Sequence, residues 1–351
     1  MIDLESYTTL GEPDQRERGS LWHTAIGLQQ TDRLKTSDYL IATANKNING
    51  DITLEEAQRL VDEYYETKPV QDTDGARTEE ADKVSARIAL ILAEKTFSFS
   101  PVEYITIHRR LFEGIYKFAG KIRDYNVSKK EWALDGETVY YASAQSIRDT
   151  IEYDFRQERE FSYKGLSMTQ TIEHIARFIS GLWQIHAFGE GNTRTTAVFA
   201  IKYLRTFGFD VTNDIFAENA WYFRNALVRA NYNDLKRGIH ATTEYLDRFF
   251  ANWLLGENHD LRNRDLFVGV KMDVPSNVPV NVPANVPVKI NSTQQKVLVQ
   301  LREEPRATAK QIAAQFKVSD RTVKRALSAL KNAGLIERTG SNKTGSWIVK
   351  E

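Results

Sequence analysis

The chain has 351 residues, 41% hydrophobic and 27% charged, enough for two or three domains and a sizeable core. It has no cysteine, which excludes disulfide scaffolds, thiolate metal sites and cysteine nucleophiles. Lys plus Arg and Asp plus Glu number 47 each, but the balance is uneven. Residues 290–351 hold seven Lys and five Arg against one Asp and four Glu, a surplus of seven positive charges offset by the rest of the chain. Segments of opposite sign suggest modules with different partners. No apolar run approaches a membrane span and the polar N-terminus lacks a signal core. A cytoplasmic protein without a membrane partner is therefore expected.

Residues 36–66 read as two helices about a Gly50-Asp51 turn. From about 101 to 256 the pattern is helical. Glu173–Ile185 places Ile175, Phe178, Ile179, Leu182 and Ile185 at three- and four-residue steps, the stripe of a buried helix. It leads straight into HAFGEGNTR, residues 186–194, and a second apolar helix follows, ending at Gly208. The polar cluster thus lies in a loop that opens onto a helix N-terminus.

That placement suits an anion, because first-turn N–H groups are unpaired and the helix dipole is favourable. Gly189 and Gly191 let backbone approach closely. Asn192 can donate to a phosphate oxygen, and Arg194 supplies a planar cation for the same group. Glu190 is a hard oxygen ligand suited to Mg²⁺ carried by a nucleotide. His186, with a pKa near neutrality, can accept a proton. Phe188 is expected to pack inward and anchor the loop.

Asp273–Lys289 repeats Asn-Val-Pro at Asn277, Asn281 and Asn285. Each Pro fixes φ and biases its predecessor to extended backbone, so 269–289 reads as a semi-rigid linker. Three short helices are predicted beyond it. Thr293 caps the first, and Thr308 caps the second around Ile312, Ala313 and Phe316. After a Lys317-Val318 turn, Ser319 caps the third, with Val323, Leu327 and Leu330 on one stripe. Leu335–Val349 reads as two strands about a polar tip. This order resembles a winged helix-turn-helix over 290–351, which implies a third helix in the major groove of duplex DNA. Arg321, Thr322, Lys324 and Arg325 lie on that helix's polar side, and Lys343 on the wing tip. Cations there imply salt-sensitive phosphate contacts; a protein-docking face is the other reading.

HAFGEGNTR resembles the signature of Fic domains, HxFx(D/E)GNxRxxR. Around it, Ile107–Asn126 is similar to that family's first core helices, Val127–Ala142 to its flap hairpin, and Trp221–Asp234 to the helix flanking the nucleotide. The resemblance covers about 150 residues. It implies a mainly α chain: a Fic-type helical core over 101–268 with a β-hairpin flap, preceded by a helical region 1–100. It also implies transfer of AMP from ATP to a hydroxyl of a target protein held along flap 127–142. In that scheme His186 is the base and Glu190 holds Mg²⁺. Gly189, Gly191, Asn192, Thr193 and Arg194 attend the phosphates, and Asn231 faces the adenine or ribose. A nucleotide-sensing regulator and a phosphotransferase of the same fold are the alternatives, and a second copy of the chain is a further candidate partner. Two departures stand out. The last signature arginine falls at Ala197. The family's inhibitory pattern, (S/T)xxxE(G/N), has its nearest match at Asn45, Asn49 and Gly50, without the glutamate. Residues 36–66 are thus either a degenerate inhibitory helix or a plain helix-turn-helix packed on the core.

Overall fold

In this computed structural model, residues 12–68, 73–209 and 214–269 are described, with parts of 297–349. Helix boundaries follow local chemistry. Pro13 opens α1 (Pro13–Gly27) behind a capping box of Glu12 and Gln15, satisfying donors that the first turn leaves open. Ser37 caps α2 (Asp38–Asn49) and Thr53 caps α3 (Leu54–Glu66). Between them Gly50 takes φ +85°, the left-handed C-cap that glycine adopts without Cβ strain. Next come α4 (Thr73–Ala93) and α5 (Pro101–Phe112), the latter capped by Ser100. They are followed by α6 (Ile147–Glu160) and α7 (Met168–Ile185), the latter started by a Ser167–Gln170 capping box. The remaining helices of this unit are α8 (Asn192–Arg205), α9 (Asp214–Ala230), α10 (Glu244–Leu255) and the single turn α11 (Asn263–Leu266).

The centre of the unit is α8, buried at every residue from Asn192 to Leu204. A helix sealed on all sides must satisfy its polar side chains internally. Lys202 does so by donating to the carbonyls of Ile91 and Glu94 at 2.9 and 2.8 Å, so the C-terminal carbonyls of α4 gain a cation. One hydrophobic core runs from Leu21 to Leu266. The helices α1–α4 therefore share a core with the helices between Pro101 and Leu266, and the chain divides into compact units between Met272 and Asp273.

The expected β-hairpin over 127–142 contains no strand. The segment is a loop folded about a 3₁₀ turn, Trp132–Leu134. It is closed by the Glu131 and Gly136 N–H groups, which donate to the Glu137 and Glu131 carbonyls at 2.9 and 3.0 Å. Ala133 and Leu134 are buried in the core. They draw the middle of the segment inward, so a tight turn replaces a ladder.

In the C-terminal unit Thr308 and Gln311 form the reciprocal cap of α12 (Ala309–Gln315). Strands β1 (Ile336–Thr339) and β2 (Ser346–Val349) pair antiparallel, with Ile336 opposite Val349. A second core holds Val297, Leu301, Ile312, Val323, Leu327, Leu330 and Ile336. Arg321, Thr322, Lys324, Arg325, Lys343 and the Asn-Val-Pro spacer lie outside the described residues. Among the described residues no helix is long and apolar enough to cross a membrane.

Two separate cores have a measurable consequence. Denaturant unfolding followed by circular dichroism is expected in two steps. Leu330→Ala should weaken only the smaller unit, by about 2–5 kcal/mol. A single transition that shifts as a whole would show instead that the cores are coupled.

Candidate active site

His186 follows the last residue of α7 and caps it at φ +50°, a left-handed conformation uncommon for a side-chain-bearing residue. Arg123 holds it there. The buried guanidinium donates to the carbonyls of His186 (2.7 Å), Ile185 (3.2 Å), Tyr125 (2.6 Å) and Ala142 (2.6 Å). Its backbone N–H meets the Ala187 carbonyl at 2.9 Å. One side chain thus pins the motif and both flanks of the 127–142 loop. Gln184 adds a donor to the Tyr140 carbonyl at 3.0 Å.

The His186 imidazole is 1% exposed, and neither ring nitrogen has a hydrogen-bond partner. The Tyr141 ring covers it at 4.1 Å between centroids and Trp183 meets it edge-on at 5.5 Å. Burial, then Lys129, Arg224 and Arg123, hold its pKa well below the ordinary value, so the ring is neutral at pH 7. Leaving buried polar atoms unpaired is costly. It is the arrangement expected where a bound molecule supplies the partner.

The loop after His186 is closed on itself. Asn192 accepts from the Phe188 N–H at 3.0 Å and donates to the Phe188 carbonyl at 2.8 Å. Its amide, expected to meet a phosphate, is engaged as an internal clamp. Phe188 is fully buried, as expected, and stacks on His108 at 3.7 Å. The Gly120 N–H donates to Nδ1 of His108 at 2.9 Å, which leaves the proton on Nε2, 3.0 Å from the Glu190 carbonyl. A Cβ at Gly189 would stand 2.7 Å from the Tyr125 hydroxyl, and one at Gly191, which has φ +78°, 2.3 Å from the Phe112 ring. At Gly191 the Phe112 ring and the positive φ already demand glycine, whereas at Gly189 the nearest atom is the movable tip of the exposed Tyr125 side chain. The first-turn N–H groups of α8, at Asn192, Thr193 and Arg194, have no acceptor inside the helix.

Glu190 is exposed, with its carboxylate 2.7 Å from Lys129 Nζ. Thr193 Oγ1 accepts from Trp183 Nε1 at 3.0 Å and from Arg224 at 3.3 Å. Arg194 turns away from the loop into the N-terminal helices. It is 1% exposed and lies 2.9 Å from Asp32, 2.6 Å from Glu80 and 3.1 Å from Gln29. Its guanidinium also sits over the Phe112 ring at 4.8 Å, a cation–π contact. Burial opposes its charge, but Asp32 and Glu80 outweigh burial and raise its pKa. Ala197 is wholly buried, whereas Asn49 is exposed at the end of α2. Asn231 donates to the carbonyls of Ser180 and Leu227 at 3.1 and 2.9 Å, tying α9 to α7.

A polar chain absent from the sequence reading links these parts. The Tyr141 hydroxyl donates to Glu131 at 3.0 Å, and both oxygens of Glu131 accept from Nη2 of Arg224 at 3.0 Å. Arg224 in turn reaches Asp32 at 3.3 Å, and Asp32 meets Arg194. Burial raises the Asp32 pKa, but Arg194, Arg224 and Lys129 prevail and hold it below the carboxylate norm. The signal in the sequence was only that Arg123, Glu131 and Arg224 fall in the segments flanking the motif. Asp32 and Glu80 carried none.

Burial brings the His108 pKa down to about 4. The neutral ring is therefore the stable one. Its contribution, on the order of 3 kcal/mol, is complete above pH 6.5 and lost as pH falls through about 4. Urea midpoints measured from pH 8 to pH 4 should fall in that window for the wild type and less steeply for His108→Asn. Equal slopes would remove His108 as the acid-sensitive lock.

Residues 98–204 match the Fic/DOC family, and residues 290–337 match winged helix-turn-helix DNA-binding domains. The protein adenylyltransferase VbhT of Bartonella schoenbuchensis is 26% identical over 108 residues, 31% of this chain and 21% of that protein. The chain thus spans about a fifth of the length of this curated relative. Two solved structures are also similar. BepC, a VirB-translocated effector of Bartonella tribocorum with bound AMPPNP, is 19% identical with a TM-score of 0.42, covering 52% of this chain and 88% of that one. A Fic family protein from Desulfovibrio desulfuricans is 12% identical with a TM-score of 0.40, covering 93% and 87%.

Proposed function

We propose that this chain, which carries a Fic/DOC domain and a C-terminal winged helix-turn-helix domain, is a nucleotidyltransferase that moves AMP from ATP to a hydroxyl of a target protein. The observation that carries the reading is His186: a buried, neutral imidazole with two unpaired nitrogens, one residue after α7 and just before the turn that opens α8. A base held neutral at pH 7 is ready to take a proton.

In this reading the target hydroxyl gives its proton to His186 as its oxygen bonds to the α-phosphorus. The bond from that phosphorus to the β-phosphate oxygen breaks, and pyrophosphate leaves. Tyr141 and Trp183 wall the imidazole from water. The open N–H groups of the first turn of α8 receive phosphate oxygens, with the helix dipole adding to their effect. Arg123 and Gln184 keep the 127–142 loop against the motif, where an extended target segment can pair with its free backbone.

Glu190 fits a Mg²⁺ ligand: an exposed carboxylate, held by a single lysine, on the lip of the loop. Among the described residues no group of three or more His, Asp or Glu side chains could hold a metal, in keeping with an ion that arrives on nucleotide phosphates. Such an ion would neutralise phosphate charge during transfer. A specific observation favours a second reading, a nucleotide-sensing regulator without transfer. Arg194 is committed to Asp32 and Glu80, and no arginine stands at position 197. The C-terminal domain, with its positive surplus, is read as a duplex DNA binder, and the cytoplasm is the fitting compartment for both domains.

Incubation with α-labelled and γ-labelled ATP separates the readings. Transfer of the α-label supports nucleotidyl transfer, γ-label alone indicates a phosphotransferase, and binding without label indicates a sensor. His186→Ala should lower α-label transfer by about two to four orders of magnitude. The wild-type rate should hold as pH falls from 8 to 6.5, because the ring protonates only well below that point.

For the C-terminal domain, the full chain should bind duplex DNA with an affinity that falls linearly with salt on logarithmic axes. Arg325→Ala should reduce the slope by about one if that side chain meets a phosphate. Gel-shift titration at several salt concentrations checks this, and no shift at low salt would point to a protein-docking domain instead.

A further inference from the structure

We propose that Arg224, projecting from α9, supplies the arginine for the nucleotide's polyphosphate chain, a role the motif's own helix leaves to Ala197. The inference rests on the nucleotide-binding reading above and names a residue that the motif does not contain.

Four observations lead to it. First, Ala197 is wholly buried in the interior of α8, so that position offers no charge to a ligand. Second, Arg194 is committed to Asp32 and Glu80 on its far side, so the loop lacks a free arginine of its own. Third, Arg224 reaches the first turn of α8, with Nη1 3.3 Å from Thr193 Oγ1. That is the turn whose N–H groups are open to an anion. Fourth, Arg224 and Lys129 both act on the unpartnered imidazole of His186, so the cations gather on the side where the reacting group must sit. The groups facing one another there are Lys129, Arg123 and Arg224 against Glu131, Glu190 and Asp32.

Arg224 is 12% exposed at its side chain and shared by two carboxylates. Both oxygens of Glu131 hold Nη2, while Nη1 is the arm that reaches Asp32 and Thr193. Asp32 is the weaker partner, at 3.3 Å, and is itself divided between Arg224 and Arg194. A polyphosphate oxygen can replace Asp32 at Arg224 without leaving either arginine unpaired. Arg194 keeps Glu80 and Asp32, and Arg224 exchanges one anion for another. A swap of this kind avoids the penalty of a bare buried charge.

The test measures binding, apart from turnover. Calorimetric titration of the full chain with ATP, AMP and inorganic tripolyphosphate compares the wild type with three variants. Arg224→Gln is expected to weaken ATP and tripolyphosphate by about ten- to a hundredfold, the loss of one charge-assisted contact, and to change AMP by less than about threefold on the same ground. Arg224→Lys should recover part of the loss, since it keeps the charge and loses the fork. Asp32→Asn removes the competitor and should tighten tripolyphosphate binding, a gain that misfolding cannot produce. ATP affinity unchanged in Arg224→Gln, an equal loss of AMP and ATP, or no gain in an Asp32→Asn protein whose circular dichroism and melting match the wild type each overturns the proposal while the nucleotide reading stands. A wild-type protein that binds neither ATP nor tripolyphosphate overturns both.

Discussion

The buried guanidinium of Arg194 is the constraint on which the rest of the structure depends. It stands at the start of the most enclosed helix and is 1% exposed. It cannot be there uncompensated: stranding such a charge by removing a partner costs about 3–5 kcal/mol. Its partners come from three places, Gln29 and Asp32 after α1, Glu80 on α4, and the Phe112 ring on α5. Satisfying one side chain therefore fixes how the N-terminal helices sit against α8. That is why residues before Pro101 share the core of those after it, although the motif lies nearly a hundred residues further on.

A second set of polar pins shapes the loop itself. Arg123, His108 and Asn192 fasten carbonyl and amide groups of residues 185–190 that no helix or sheet satisfies. Buried backbone polar groups need partners, and here they find them in side chains. The result is a loop whose backbone is fastened by side chains. The His186 nitrogens and the first-turn amides of α8 stay unpaired, and the exposed Glu190 carboxylate pairs with Lys129.

The two carboxylates of Asp32 and Glu131 give the site its electrostatic balance. Between them they hold Arg224, and Asp32 also serves Arg194. The cations beside His186 are thus neutralised from behind while its ring is kept uncharged. Lys129, whose partner Glu190 is exposed, joins the 127–142 loop to the motif through a pair that water screens.

How far the sequence reached can be judged residue by residue. The helix pair α7 and α8, the loop between them, the buried Phe188 and the C-terminal helix and strand pattern were legible, because periodicity, capping residues and glycines act over a few positions. The shared loop of His186 and Glu190 was legible because one contiguous motif carries both residues. Other features were not. The 127–142 segment reads as a hairpin, yet it folds about a turn because Ala133 and Leu134 bury themselves in the core. Asn192 and Asn231 read as ligand donors, yet their amides close backbone contacts made only after folding. Arg194 reads as a phosphate cation, and its carboxylates lie 162 and 114 positions away in sequence. By itself the sequence determined which groups are present and which short elements they begin. Only the tertiary structure decided which of them are used up in holding the fold and which stay free. Pairing a buried charge or amide depends on neighbours in space, and no local pattern records those.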